Sequence, residues 1–374
     1  MQPLGLYIHI PFCKRKCAYC DFVSFLGCET EIDHYIDNVI GEARLYADAL
    51  FSRQVDTVFI GGGTPSLLRP EQFVKLVEGL KVNCNWDPVE VTVEANPETL
   101  DADKLAAYAD CGVNRISIGL QTHDDDILAR IGRRHTWEVF LQAYEEASRH
   151  FNHINADTIF GLPGQTLQSY LETLRRVIAL GTKHVSSYAL KLEAGTPLAA
   201  DYTGAEEDLD REMYHAGIRA LENAGLLKYE TSNFAVPGYE CRHNLKYWTG
   251  AEYLGLGVAA YSMLKESLTV RFGNAHSLQE YARMVEEGCK PMRETEDLSL
   301  QDEKDEYIML RLRLKSGIDF SEYYAKFNEN FNEAFDEPIL SCIRDGLLIR
   351  TQSGVSATTK GFDLQNSLIG KFIN

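Results

Sequence analysis

Six short apolar runs punctuate the first half of the chain, at residues 4–10, 57–60, 89–94, 115–119, 154–160 and 184–190. Between most of them the apolar positions recur at the spacing of an amphipathic helix, over 33–50, 70–80, 101–109, 137–149 and 167–180. Alternation of this kind predicts parallel strands joined by right-handed crossovers. Most of the runs end in polar, Gly or Pro residues: Pro11-Phe12-Cys13, Gly61-Gly62-Gly63-Thr64-Pro65, Ala95-Asn96-Pro97, Gln121-Thr122 and Gly161-Leu162-Pro163-Gly164. In parallel barrels and open sheets that carboxyl edge carries the site. About six strand–helix units are visible, which predicts an α/β fold built as an incomplete parallel barrel rather than a closed eight-fold one.

Beyond residue 190 the pattern loosens. A helix is expected over 206–224, and extended segments over 229–234 and 253–262 frame a loop containing Pro and Gly. The glycine-rich stretch Gly255 to Ser262 lacks the full dinucleotide fingerprint and reads as a tight strand turn. From about 298 onward, helices at 302–314, 320–326 and 331–345 lead into a small hairpin, 347–350 and 355–358, turning at Ser353-Gly354. Pro338 interrupts the last helix and predicts two shorter pieces. Helices followed by a hairpin resemble a winged helix. The expected organisation is a barrel core at 1–235, an extension carrying a distinctive loop at 236–295, and a small C-terminal domain at 296–374.

Charge narrows the partners. The 55 acidic residues outnumber 37 Lys and Arg, for a net charge of −18. Such a surface repels phosphate backbones and anionic lipid, so no nucleic-acid partner is expected. The last helical stretch before the hairpin contains Glu333, Asp336 and Glu337, which makes the C-terminal domain a lid or a protein contact rather than a DNA reader. No apolar run reaches the roughly 18–20 residues of a membrane span. The opening Met1-Gln2-Pro3-Leu4-Gly5 lacks a basic stretch and apolar core, so no secretory leader is expected and the cytoplasm is the expected location.

Of nine cysteines, Cys13, Cys17 and Cys20 fall within eight residues; Cys28, Cys84, Cys111, Cys241, Cys289 and Cys342 are scattered. Scatter suits small buried thiols. The cluster sits just past the first strand in Cys-x3-Cys-x2-Cys spacing, among the basic Lys14, Arg15 and Lys16, which favour thiolate. Three thiolates at short spacing suit a cubane iron–sulfur cluster with one iron left open. The competing reading is a zinc site or three buried thiols. Structural zinc normally closes with four ligands in paired arms, and no second arm is present.

This spacing, with the aromatic Tyr19 before the third cysteine, resembles the radical S-adenosylmethionine proteins. The preceding Tyr7-Ile8-His9-Ile10-Pro11-Phe12 resembles the oxygen-independent coproporphyrinogen oxidase group, and within it the HemW-type heme chaperones, over nearly the whole chain. The resemblance implies a 4Fe–4S cluster on Cys13, Cys17 and Cys20. It also implies S-adenosylmethionine contacts from Tyr7, Tyr19, Gly62, Gly63, Thr64, Glu94, Gln121, Arg133, Asp157 and Ala189. Read without the family, the glycines are a turn, Glu94 is a cap or surface charge, and the other polar residues belong to a barrel rim. Ile8 and Ile10 read as core, with His9 a structural histidine between them.

Two departures bear on activity. The related oxidases carry a further cysteine two residues past the third ligand, where this chain has Phe22, and only six residues precede Tyr7, so their long N-terminal extension is not expected. Both agree with the chaperones. So does His243-Asn244-Leu245-Lys246-Tyr247-Trp248, which resembles their heme-associated motif. His243 is the leading iron ligand, with Cys241 an alternative. Asn244, Tyr247 and Trp248 complete the heme contacts, the two rings as flat surface, and Arg242 and Lys246 are expected on the propionates. The bland alternative is a structural loop around a buried Trp. The expected function is heme binding and transfer to heme-requiring apoproteins, with a homodimer possible. Oxygen-independent coproporphyrinogen III oxidation is the enzymatic alternative, and a heme-responsive regulator the third.

Overall fold

A computed structural model describes residues 1–27 and 29–373, so Cys28 lies outside the described residues. Six parallel strands follow one another in the sheet in chain order: β1 (Gln2–Ile10), β2 (Arg53–Gly62), β3 (Trp86–Ala95), β4 (Arg115–Gln121), β5 (His153–Phe160) and β6 (His184–Ala189). Their alternation explains the layering. Leu4, Leu6, Ile8 and Ile10 of β1, Val58 and Ile60 of β2, Val91 and Val93 of β3, and Ile116, Ile118 and Leu120 of β4 are buried in one apolar core. That core is filled from the other side by the crossover helices, for instance Ile36 and Val39 of Glu29–Leu45 and Phe73, Leu76 and Val77 of Pro70–Lys81. The intervening residues, among them Tyr7, Glu94, Ser117, Asn155, Asp157 and Ser186, share the opposite, polar face. A doubly wound sheet would cover both faces with crossover helices. One apolar and one polar face is what a barrel wall requires.

The wall stays open. Among the described residues the sheet has twelve strands in an open order whose two ends do not meet. Past β6 come β7 (Leu227–Lys228) and β8 (Asn233–Ala235), antiparallel on one edge. On the other edge β9 (Tyr253–Leu256) adds a parallel strand beside β1, followed by antiparallel β10 (Tyr261–Lys265), β11 (Thr269–Asn274) and β12 (Met292–Leu298). The expected extended stretch 229–234 is strand only from Asn233, because residues 229–232 form the turn of the β7–β8 hairpin, with Tyr229 N donating to Asn233 O at 3.1 Å. The stretch 253–262 is two strands separated by a turn at Gly257, whose φ of +107° suits glycine. Residues of 236–295 such as Leu254, Leu264, Phe272 and Tyr281 lie in the same core as the barrel.

That turn is tied down by Glu42. This carboxylate, fully buried in the helix Glu29–Leu45, accepts from Gly257 N (2.7 Å), Asn274 Nδ2 (2.6 Å) and the Tyr281 hydroxyl (2.6 Å). Burial outweighs those bonds and pushes its carboxyl up to about 7. A folded value above the unfolded one means that the folded state holds the proton more tightly. Glu42 therefore lowers stability as pH rises from about 4.3 to about 7, by roughly 3 kcal/mol. Glu42→Gln should remove that part of the fall, measured by denaturant unfolding across this range; an unchanged pH profile would contradict it.

The C-terminal domain has a separate apolar core, including Ile308, Tyr323, Phe331, Ile339 and Phe362. Helices Leu300–Arg311, Phe320–Phe327 and Asp336–Arg344 pack with a three-stranded sheet of order β13 (Ile318–Asp319), β15 (Gly354–Ala357), β14 (Leu348–Arg350), a winged-helix-like arrangement. The expected helix over 331–345 is broken at Phe335 into Phe331–Ala334 and Asp336–Arg344, as Pro338 in the first turn of the second piece requires. Among the described residues no helix is long and apolar enough to cross a membrane.

Candidate functional site

The cysteine loop follows β1 and is fastened at both ends. Phe25 N donates to Pro11 O and Cys13 N to Phe25 O, closing the loop on itself. Its middle is fixed to the barrel rim, since Ala18 N donates to Ile131 O and Ala18 O accepts from Leu198 N. His9 holds the far end. Its Nε2 donates to Val23 O at 3.0 Å, which leaves Nδ1 to accept from the Tyr7 hydroxyl, also at 3.0 Å. Burial lowers the His9 pKa, keeping the ring neutral in this role. Cys13, Cys17 and Cys20 are all partly exposed and unpaired. Burial raises Cys13 and Cys20 despite the basic residues beside them, because Lys14, Arg15 and Lys16 point to solvent. Lys16 itself donates to Phe22 O.

The glycine run ending β2 presses against this loop. Gly62 has φ +109°, and a Cβ there would lie 2.5 Å from the His9 ring. A Cβ on Gly63 would meet the backbone of Ile10, Pro11 and Phe12 at 2.9 Å. Gly62 N donates to Glu94 Oε2 at 3.0 Å. Burial, aided by the Asp157 charge, raises the Glu94 carboxyl to about 7. Thr64 donates to Cys13 Sγ (3.5 Å) and accepts from Asn96 Nδ2 (3.1 Å), while Asn96 Oδ1 accepts from Arg133 (2.6 Å). The cluster loop is thus linked to Arg133 through two side chains. Gln121 ends β4 with φ +72°, and it and Arg133 crowd over Gly119, where a Cβ would fall 2.6 Å from the guanidinium and 3.0 Å from the Gln121 amide. Asp157 accepts from Ser117 (2.9 Å) and Asn155 (2.7 Å). Tyr19 leans on a small apolar cluster of Ile127, Leu128, Ile131, Ile159 and Leu162. Ala189 is the exposed last residue of β6.

The donor set fits a 4Fe–4S cluster: three unpaired thiols on one anchored loop, beside a glycine cradle that a Cβ would fill. Next to it, Arg133 Nε is buried without an acceptor, in a narrow cleft shared with Cys17, Thr64 and Asn96. Such a cluster, when bound, supplies an open iron for the amino-acid end of S-adenosylmethionine and one electron for its chemistry. Among the described residues no group of His, Cys, Asp or Glu is gathered for a single metal ion.

The second motif is a helix, Arg242–Thr249, rather than a loop, and it lies across the polar face of the wall. Glu90 of β3 creates its start, accepting from the amides of Arg242 (2.8 Å) and His243 (2.9 Å), and Gly250 ends it at φ +62°. His243 is 0% exposed, with Nδ1 on the Thr57 hydroxyl (3.0 Å) and Nε2 on the Tyr247 hydroxyl (2.9 Å). Burial holds its pKa down at about 3, so it is neutral. Lys246 is buried against Asp56 at 2.8 Å, a correction to its expected place on a propionate. Cys241 is fully buried on Glu90. Asn244, Tyr247 and Trp248 instead line a cavity of about 390 Å³. Tyr188 and residues 230–233 form the barrel side of this cavity, and Leu310, Arg313 and Gln365 of the C-terminal domain form the other.

Residues 7–177 match the radical SAM superfamily and residues 298–364 the HemN C-terminal domain. The chain is 32% identical to the heme chaperone HemW of Bacillus subtilis, over 98% of each chain. It is 34% identical to that of Escherichia coli, over 100% of this chain and 99% of the relative. The chain belongs to the HemW family. Its fold also matches Escherichia coli coproporphyrinogen III oxidase (HemN), described as a radical SAM enzyme, with a TM-score of 0.86 at 25% identity, over 99% of this chain and 90% of that one.

In this member of the HemW family, two sets of residues had no signal of their own in the sequence. Asn96 looked like a turn residue before Pro97, yet it joins Thr64 to Arg133. Ser117 and Asn155, which hold Asp157, sit inside strands, and Asn155 also bonds His184 and Ser186. Polar residues at the strand positions facing away from the helices were the available clue. Phe22, where the oxidases were expected to carry a cysteine, is 61% exposed beside the cluster loop.

Proposed function

We propose that this chain is a heme chaperone of the cytoplasm: it binds heme in the cavity beside Tyr247 and Trp248 and passes it to heme-requiring apoproteins. Cys13, Cys17 and Cys20 carry a 4Fe–4S cluster that binds S-adenosylmethionine. Tyr7, Tyr19, Gly62, Gly63, Thr64, Glu94, Gln121, Arg133, Asp157 and Ala189 shape that cofactor's place. The observation that carries the reading is the cavity. Its size lies in the range of small-molecule sites, and two aromatic rings of the motif line it together with Tyr188. Asn244 supplies a polar contact within it. His243 stands one hydroxyl behind: a heme iron that displaced the Tyr247 hydroxyl would meet Nε2 next. Until then His243 positions the Tyr247 ring.

The likeness to a coproporphyrinogen III oxidase keeps one enzymatic reading in view. Anaerobic incubation with coproporphyrinogen III, reductant and S-adenosylmethionine distinguishes the two. The chaperone reading expects no more protoporphyrinogen than a Cys17→Ala protein gives. Product above that level would replace it with the oxidase.

A further inference from the structure

The C-terminal domain contributes an uncommitted cation to the cavity. Arg313 lines it, and among the described residues its side chain has no hydrogen-bond or ion-pair partner, its Nε being buried without an acceptor. That is unusual in a chain with a net charge of −18. Of the domain's other cations near the barrel, Lys304 pairs with Glu329, Arg311 with Glu322 and Lys326 with Glu303, while Lys315 lies over the Phe362 ring. Gln365 adds a second free donor. Its Oε1 accepts from Thr231 across the domain boundary at 3.4 Å, leaving Nε2 buried and unpartnered on the cavity wall. Facing them, Asn233 is 4% exposed with Oδ1 unsatisfied. Glu230, the one carboxylate of the lining, is engaged by Ser232 N at 3.2 Å, with Lys228 the cation that acts on it. Unmade hydrogen bonds on buried polar atoms carry a cost that a ligand supplying the partner removes.

We propose that Arg313, with the Gln365 amide, is an anion clamp that grips a carboxylate on the edge of the bound tetrapyrrole, so that the C-terminal domain is part of the binding site. This rests on the heme reading above and names the part of the ligand recognised. It gives the propionates to the C-terminal domain in place of Lys246, which is held by Asp56. A guanidinium fork suits a carboxylate better than an ammonium does.

The test titrates the full chain with hemin and with hemin dimethyl ester, whose carboxylates are masked, following the Soret band. Arg313→Gln should weaken hemin about tenfold or more, the loss of one charge-assisted contact, and leave the ester's affinity unchanged. Arg313→Lys should fall between. Binding of the ester by the Gln variant shows an intact cavity. Equal losses for both compounds in both variants, or no loss for either, overturns the clamp alone. A wild-type chain that binds neither compound overturns the heme reading and the clamp together.

Discussion

Cys17→Ala should leave the anaerobically reconstituted protein without cluster iron and without its broad visible absorbance. Cys17 is the middle ligand of a loop whose backbone is fixed on either side, with Cys20 N bonded to Cys17 O and Ala18 bonded to both Ile131 and Leu198. No spare thiol lies on the described part of the loop, since Phe22 occupies the position where another cysteine could have served. Two thiolates cannot hold a cubane that already lacks a protein ligand at its fourth iron. The loop's own hydrogen bonds do not involve the Cys17 side chain, so the fold should persist with the unfolding midpoint of the cluster-free wild type. Iron content and absorbance equal to the wild type would refute the ligand assignment.

Trp248→Ala should weaken heme binding by about ten- to a hundredfold, and Tyr247→Ala by a similar factor. Removing a large ring from a flat binding surface forfeits on the order of 1.5–3 kcal/mol of apolar contact. Tyr247→Ala also frees His243 Nε2 from its hydroxyl partner, so its spectrum should differ from that of Trp248→Ala if the imidazole then reaches iron. Equilibrium titration in the Soret region measures both. Affinities within about twofold of wild type for both variants would return the helix Arg242–Thr249 to a purely structural role, closing the polar face of the wall.

The barrel was legible because its signals are local. Each parallel strand is an apolar run of its own, and the helices between repeat at their own period. The cysteines, the glycine run and Glu94 all fall at strand ends, where the residue types alone suggest chemistry. The elements that were misread depend on distant partners. Residues 242–249 begin a helix because Glu90, more than 150 positions earlier, accepts their amides. His243, the expected iron ligand, has its two nitrogens on Thr57, far away in the sequence, and on Tyr247. Tyr229 falls outside a strand because it opens the turn that pairs Leu227–Lys228 with Asn233–Ala235, its amide bonded to Asn233 O. The cavity is the extreme case. Its walls come from Tyr188, the 230–233 turn, one helix of the barrel extension and two places in the C-terminal domain, and no window of sequence holds more than a part of it.

The most direct test of the heme reading is a Soret titration of the reconstituted full chain with heme, run beside Trp248→Ala under the same conditions. The account predicts saturation at one heme per chain for the wild type and a clearly displaced curve for the variant. Absorbance that rises without saturating, or two superimposable curves, would contradict it.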